Sequence, residues 1–255
     1  MTVRELYAFL NEKIPPFLSC EWDNDGLMCC PDPEREVRRV LVALDITAKV
    51  AQGAILGGYD VVVSHHPLVF RPLRAVNPTN PVAKKVIDLL CAGVAAMSFH
   101  TRLDAVTGGV NDALAQKLGL SDVEPFGENG EAMGRIGTLP TPMSASDFAR
   151  LLKQATGTGQ VLLSDAGRRV FRVALLGGSG SDGVRAAIAA GADTYVSGEL
   201  GHHQLTDAPE LGINLLAGGH FHTENPVCER LREWILAADP TIDVTVADSN
   251  AVQII

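Results

Sequence analysis

Seven histidines fall into four groups along the chain: His65-His66, His100, His202-His203, and His220 with His222. Three of these groups directly follow apolar runs that read as parallel strands. In open α/β sheets, sites form beyond the carboxyl ends of strands, so His65, His66, His100 and His220 are free to converge there. Imidazoles in such number serve as ligands of borderline divalent metals or as proton carriers at neutral pH.

Ser64-His65-His66-Pro67 delivers two imidazoles at the end of the run Asp60-Val-Val-Val-Ser64, and Pro67 fixes the direction of exit. Adjacent residues of an extended chain point to opposite sides, so the pair suits two different ions better than one. In His100-Thr-Arg-Leu-Asp104 a hard oxygen donor follows a strand-end histidine. Asp104 also suits a helix cap, and His100 suits a ligand, a partner of a ligand, or a general acid/base equally well. In Gly218-Gly-His220-Phe-His222-Thr-Glu224, His220 and Glu224 are four apart and share one face if a helix begins there. Glu224 then has two oxygens with which to bridge two ions, whereas His222 points elsewhere.

Together these segments offer His65, His66, Asp104, His220 and Glu224. A structural zinc needs four ligands and usually thiolates. Five N/O donors with one able to bridge suit two divalent ions about 3.5–4 Å apart, with positions left open for water. Zn, Mn, Fe and Co all fit such a set.

The elements that must carry these residues alternate. A capping box at Thr2 and Glu5 opens a helix over 2–13. Strands are expected at 38–45, 60–67 and 93–100, with helices at 47–57, from Pro81 to Cys91, and at 108–119. The polar, turn-rich stretch 121–133 marks a domain boundary. After it come a strand at 134–139, a helix at 145–156, and strands at 160–164, 168–178 and 192–200 around a helix at 182–190. A helix at 223–238 and a strand at 242–248 close the chain. This is an α/β pattern with a largely parallel sheet. It also shows a weak internal duplication. Asp60-Val-Val-Val-Ser64 matches Asp193-Thr-Tyr-Val-Ser197, and Gly93-Val-Ala-Ala-Met matches Gly212-Ile-Asn-Leu-Leu.

Composition narrows the partners. A net charge of −9 over 255 residues gives no overall field that attracts a phosphate backbone, so nucleic acid is a poor default partner. The five cysteines, odd in number and without a CxxC pair, read as reduced thiols of a cytoplasmic protein. No apolar run approaches the roughly 18 residues of a membrane span, and no leader pattern opens the chain.

The same residues carry a resemblance. Glu21-Trp-Asp-Asn-Asp-Gly-Leu27, Ser64-His65-His66-Pro67-Leu68, His100-Thr-Arg-Leu-Asp104 with Gly108-Gly-Val-Asn-Asp112, and Gly219-His220 with Thr223-Glu224 resemble, in order, four motifs of the NIF-three family of dinuclear metal-centre proteins, the GTP cyclohydrolase I type 2 homologues. The resemblance implies ligands at His65, His66, Asp104, His220 and Glu224, with Glu224 bridging and His100 close by without a firm ligand role. It implies two similar α/β lobes in pseudo-repeat, residues 1–125 plus 220–255 and residues 126–219, with the metal site in the cleft between them, and a toroidal homohexamer. Where the family often shows Asp-Ile-x-x-His, this chain has Glu199-Leu-Gly-His-His203, which keeps a pocket role open for His203. Cys29-Cys30 replaces a commoner glycine-rich turn.

The expected function is hydrolysis of a nucleotide or another small phosphorylated molecule by metal-activated water, with His100 moving the proton. The competing expectations are a phosphoesterase and a ring-forming metal-binding protein without turnover.

Overall fold

The computed structural model describes residues 1–127 and 132–254. The strands run in chain order β1 (Gly26–Cys29), β2 (Arg39–Ala43), β3 (Val61–Ser64), β4 (Ala95–Ser98), β5 (Ser121–Phe126), β6 (Gly134–Met143), β7 (Leu162–Ser164), β8 (Val170–Leu176), β9 (Thr194–Ser197), β10 (Asn214–Ala217) and β11 (Asp243–Val246). The helices are α1 (Val3–Lys13), α2 (Ala48–Leu56), α3 (Pro81–Cys91), α4 (Thr101–Ala105), α5 (Val110–Lys117), α6 (Ala145–Thr156), α7 (Val184–Ala189), α8 (His202–Leu211), α9 (His220–Glu224) and α10 (Pro226–Ala238). Among the described residues, no helix is long and apolar enough to cross a membrane.

The chain divides into two compact units, residues 1–106 with 227–251, and residues 107–226 with 252–255. The first holds a five-stranded sheet in the order β1-β4-β3-β2-β11. Four of its strands are parallel and β1 is antiparallel at the edge. Its central strands are apolar on both faces: all four residues of β3 and all four of β4 are buried. That is the signature of a parallel sheet covered on both sides. Leu41, Val62 and Ala96 pack with Val50 and Ala54 of α2 and Leu89 of α3.

The second unit holds a six-stranded sheet, β5-β6-β8-β9-β10-β7. Here β8, β9 and β10 are parallel, and β7 is antiparallel to β10. The order β1-β4-β3-β2 therefore recurs as β7-β10-β9-β8 with the same strand senses. The duplicated aspartates explain why the chain repeats them. The Asp60 carboxylate accepts from the backbone N–H groups of Arg38 and Arg39 at 2.9 and 3.0 Å. Asp193 accepts from those of Phe171 and Arg172 at 3.0 and 2.7 Å. Each aspartate thus ties the start of one parallel strand to the next and satisfies N–H groups that the ladder leaves over.

Several elements differ from expectation. The boundary expected at 125/126 lies at 106/107, because Leu114 and Leu118 of the α5 segment pack on Phe148, Val173 and Leu216 of the second unit. The segment 220–226 also belongs to the second unit rather than the first. The turn-rich stretch expected over 121–133 contains β5, paired antiparallel to β6. Residues 128–131 of that stretch lie outside those described. The single helix expected over 223–238 is two, α9 and α10, since Pro226 has no N–H to continue the first.

Candidate metal centre

In the first unit the ends of β3 and β4 are locked together. Ser64 and Ser98 share a hydroxyl hydrogen bond of 2.8 Å. The backbone N–H of Phe99 donates to Ser64 O, and that of His66 to Leu44 O, both at 2.9 Å. These bonds fix the segments that emerge with His65-His66 and with His100. β3 stops at Ser64, and His65 and His66 lie in a bend. Strand alternation no longer governs them there, and their ring centroids are 4.8 Å apart rather than on opposite faces.

Each of the three imidazoles is held by the same ring nitrogen. His65 Nδ1 donates to Phe99 O at 2.9 Å, His66 Nδ1 to the Asp45 carboxylate at 2.7 Å, and His100 Nδ1 to the Asp23 carboxylate at 2.8 Å. The acceptors are a carbonyl and two carboxylates, so Nδ1 donates and Nε2 is the ring nitrogen left to meet an ion. That is the arrangement in which metal-bound histidines are found. Donor atoms of His65, His66 and His100 lie within 4.8 Å of one another, close enough for one ion to hold all three. The resemblance left His100 without a firm ligand role; the structure puts it in this imidazole group. Asp104 stands beside the group, with Oδ1 3.7 Å from His65 Nε2.

The segment that carries His100 and Asp104 is clamped by two residues to which the sequence reading gave no role. Asp23 accepts from Thr101 N at 3.0 Å and Thr101 Oγ1 at 2.6 Å besides the His100 ring. Burial alone would raise the Asp23 carboxyl. The hydrogen bonds from His100 and Thr101 outweigh it and hold the group well below the ordinary carboxylate range. Asp25 accepts from His100 N at 3.2 Å and from Arg102 Nε at 2.9 Å. Arg102, itself almost fully buried, reaches on to Asn11 Oδ1 and Ile14 O. The motif around residues 21–27 is therefore a clamp on α4. Trp22 and Phe70 complete the surroundings, meeting the His100 ring edge-on at 6.2 and 5.9 Å.

In the second unit, α9 places His220 and Glu224 on one face, with Nε2 3.0 Å from the Glu224 carboxylate. His220 Nδ1 meets Glu199 Oε1 at 3.1 Å, and Ser179 Oγ donates to the other Glu199 oxygen at 2.6 Å. Glu199 thus does for His220 what Asp45 and Asp23 do for His66 and His100. Glu224 is buried, and glycine makes the room: a Cβ at Gly178, whose φ is +61°, would overlap Glu224 Oε1. His222 turns away and meets Thr156 O at 3.4 Å. Among the described residues, neither His222 nor His203 enters a group of three donors able to hold an ion. Cys29 and Cys30 enter none either, and burial pushes the Cys29 thiol up to about 11.

In each unit the donors are imidazole nitrogens and carboxylate oxygens without thiolate, which suit borderline divalent ions. The Nδ1 acceptors show that the imidazoles are aimed rather than merely crowded.

The profile of the Duf34/NIF3 (NGG1p interacting factor 3) family matches residues 1–252. The chain is 30% identical over 241 residues to the GTP cyclohydrolase 1 type 2 homolog of Clostridium perfringens, covering 92% of this chain and 91% of that protein. It is 33% identical over 256 residues to the Protein NIF3 homolog of Schizosaccharomyces pombe, with coverage of 92% and 91%. Among solved structures, Staphylococcus aureus protein SA1388 shares the fold with a TM-score of 0.90 at 22% identity, over 100% of this chain and 99% of that one. Reduced HcgD from Methanocaldococcus jannaschii aligns with a TM-score of 0.82 at 27% identity, over 96% and 97% of the two chains.

Proposed function

The chain belongs to the Duf34/NIF3 family, and from that premise we propose that it is a metal-dependent hydrolase with two divalent ions per chain, acting on a nucleotide or another small phosphorylated molecule. The observation that supports metal binding is the set of oriented imidazoles, His65, His66 and His100 in the first unit and His220 in the second, each with Nδ1 bonded to an acceptor; the count of two ions rests on the family resemblance. The names of curated relatives as GTP cyclohydrolase 1 type 2 homologs support the substrate class.

The proposed ligands are His65, His66, Asp104, His220 and Glu224, with Glu224 bridging, as the family resemblance implies. Zn, Mn, Fe or Co held by this set would lower the pKa of water and polarise the atom attacked. The chain's own residues do the rest. Asp23 fixes His100 in the tautomer whose Nε2 accepts a proton from the attacking water and returns it to the leaving group. Trp22 and Phe70 stand roughly perpendicular to the His100 ring, with centroids 6.2 and 5.9 Å away. A homohexameric ring in the cytoplasm is the proposed setting.

A screen of nucleotides and phosphoesters against Zn-, Mn-, Fe- and Co-loaded protein tests this reading. Hydrolysis that disappears in Glu224→Gln supports it. Metal-loaded protein that turns over nothing across the screen leaves a metal-binding assembly or regulatory protein as the reading.

A further inference from the structure

A second feature of the first unit lies outside the donor set. The segment that follows His66 loops over a cavity of about 700 Å³, lined at one end by Pro67 and Leu68 and at the other by the start of α3. Three cations face it, Arg71, Arg74 and Lys85, and no aspartate or glutamate is among its lining residues. In a chain of net charge −9 that is an unusual concentration of one sign. Elsewhere in this unit Arg102 pairs with Asp25 and Arg35 with Asp60. Arg71 and Arg74 make no ion pair among the described residues, and both are exposed to the cavity mouth.

We propose that this cavity is a phosphate subsite, in which Arg71, Arg74 and Lys85 hold the phosphate end of the substrate while its reacting end lies at the histidine group. Deepening the hydrolase reading, the inference rests on it for the identity of the reacting end.

Four features argue for it. The volume falls in the range of about 300–1,000 Å³ usual for small-molecule sites, larger than a single structural ion needs. Guanidinium groups present planar paired donors that match phosphate oxygens. Lys85 is already positioned: its Nζ donates to Ile46 O at 2.5 Å, three residues beyond the end of β2 at Ala43. Asp45 is the acidic group whose charge reaches Lys85, and its Oδ1 also meets the His66 ring. Last, α3 opens at the cavity through Asn80 and Val82, and the positive end of an 11-residue helix adds to the field. The first amide groups of α3 are capped by the Asn80 side chain, so this helix supplies field rather than direct donors.

The cavity adjoins the segment that carries the histidines. Pro67 directly follows His66, and Phe70, which lines the cavity, packs against both His100 and Trp22. Trp22 is 64% exposed and Phe70 43% exposed, so both rings offer free faces. A ligand with phosphates on the arginines and an aromatic base against Trp22 and Phe70 uses every one of these features, which names a nucleotide as the class.

The test measures binding, not turnover. Guanosine triphosphate, inorganic triphosphate and guanosine are titrated calorimetrically into metal-loaded wild type, into the Arg71→Gln/Arg74→Gln double variant, and into Lys85→Gln, with metal content and thermal midpoint measured on each. Because Arg71 and Arg74 are exposed, the double variant is expected to keep its fold and its metals. Both triphosphates are expected to bind it at least about tenfold more weakly than wild type, with a shallower salt dependence, while guanosine binds both alike. Unchanged triphosphate affinity in the double variant overturns the subsite, as does an equal loss for guanosine. If hydrolysis is found but its KM is unmoved by the double substitution, the subsite falls and the hydrolase stands. If triphosphate binding drops yet no substrate is ever turned over, the subsite stands and the hydrolase falls.

Discussion

His100 Nδ1 donates a 2.8 Å hydrogen bond to Asp23, a residue 77 positions earlier whose other oxygen is taken up by Thr101. One carboxylate therefore sets both the ring orientation of His100 and the start of the helix that carries Asp104. Asp23→Ala is expected to lower turnover by roughly 10–100-fold, the usual cost of losing such a supporting partner. Loss of a metal in parallel would assign His100 to the ligands; full activity would remove Asp23 from the account. Steady-state kinetics and elemental analysis on one preparation separate these outcomes.

If His100 is the proton carrier, His100→Asn retains both ions and loses about 10²–10⁴-fold in kcat. A fall in metal content instead makes it a ligand, which its place in the imidazole group with His65 and His66 also permits.

Gly178 sits against Glu224 and donates its backbone N–H to Thr223 Oγ1 at 3.1 Å. Adding a methyl at Gly178 forces the Glu224 carboxylate aside and strains a left-handed φ. Gly178→Ala should lower metal content as Glu224→Gln does, whereas His222→Ala should leave it near normal. Equal metal loss in Glu224→Gln and His222→Ala would contradict the reading of α9.

Asp60 gives a pH-dependent test of the fold. Burial raises its carboxyl, but the N–H groups of Arg38 and Arg39 and the Arg35 guanidinium outweigh this and hold it below its ordinary value. A depressed folded-state pKa contributes stability above the unfolded value of about 3.9, and that contribution is lost as pH falls through the folded value. Asp60→Asn should cost roughly 1.5–3 kcal/mol at neutral pH, as for a hydrogen-bonded charge. The gap to wild type should narrow below about pH 4. Urea denaturation at pH 7 and at acid pH measures it; a gap independent of pH would contradict the assignment.

Much of this fold was legible in the sequence where apolar runs and caps are strong. α3 and α6 begin and end where Pro81, Ser144 and Gly157 dictate, and the Asp60 and Asp193 runs mark equivalent strands of the repeat. Four elements were hidden, among them α4, a single turn of helix between the strand expected at 93–100 and the helix expected at 108–119. β1 is a four-residue edge strand whose partner lies some 70 residues on. β5 contains two acids and Pro125, which only an edge strand tolerates. α8 buries only Ala208 and contains Pro209, so it carries no apolar stripe. In the site, the histidines announced themselves by standing at strand ends. Their acceptors did not, because Asp45, Asp23 and Glu199 reach them from 21, 77 and 21 residues away. The clue was present only as aspartates at alternate positions in Glu21-Trp-Asp-Asn-Asp.

The most direct test is the metal content of wild-type protein purified without chelator, measured by elemental analysis against protein concentration. Two divalent ions per chain are predicted, either as purified or after soaking with Zn, Mn, Fe or Co. A reproducible value of one or zero after soaking would contradict a dinuclear centre.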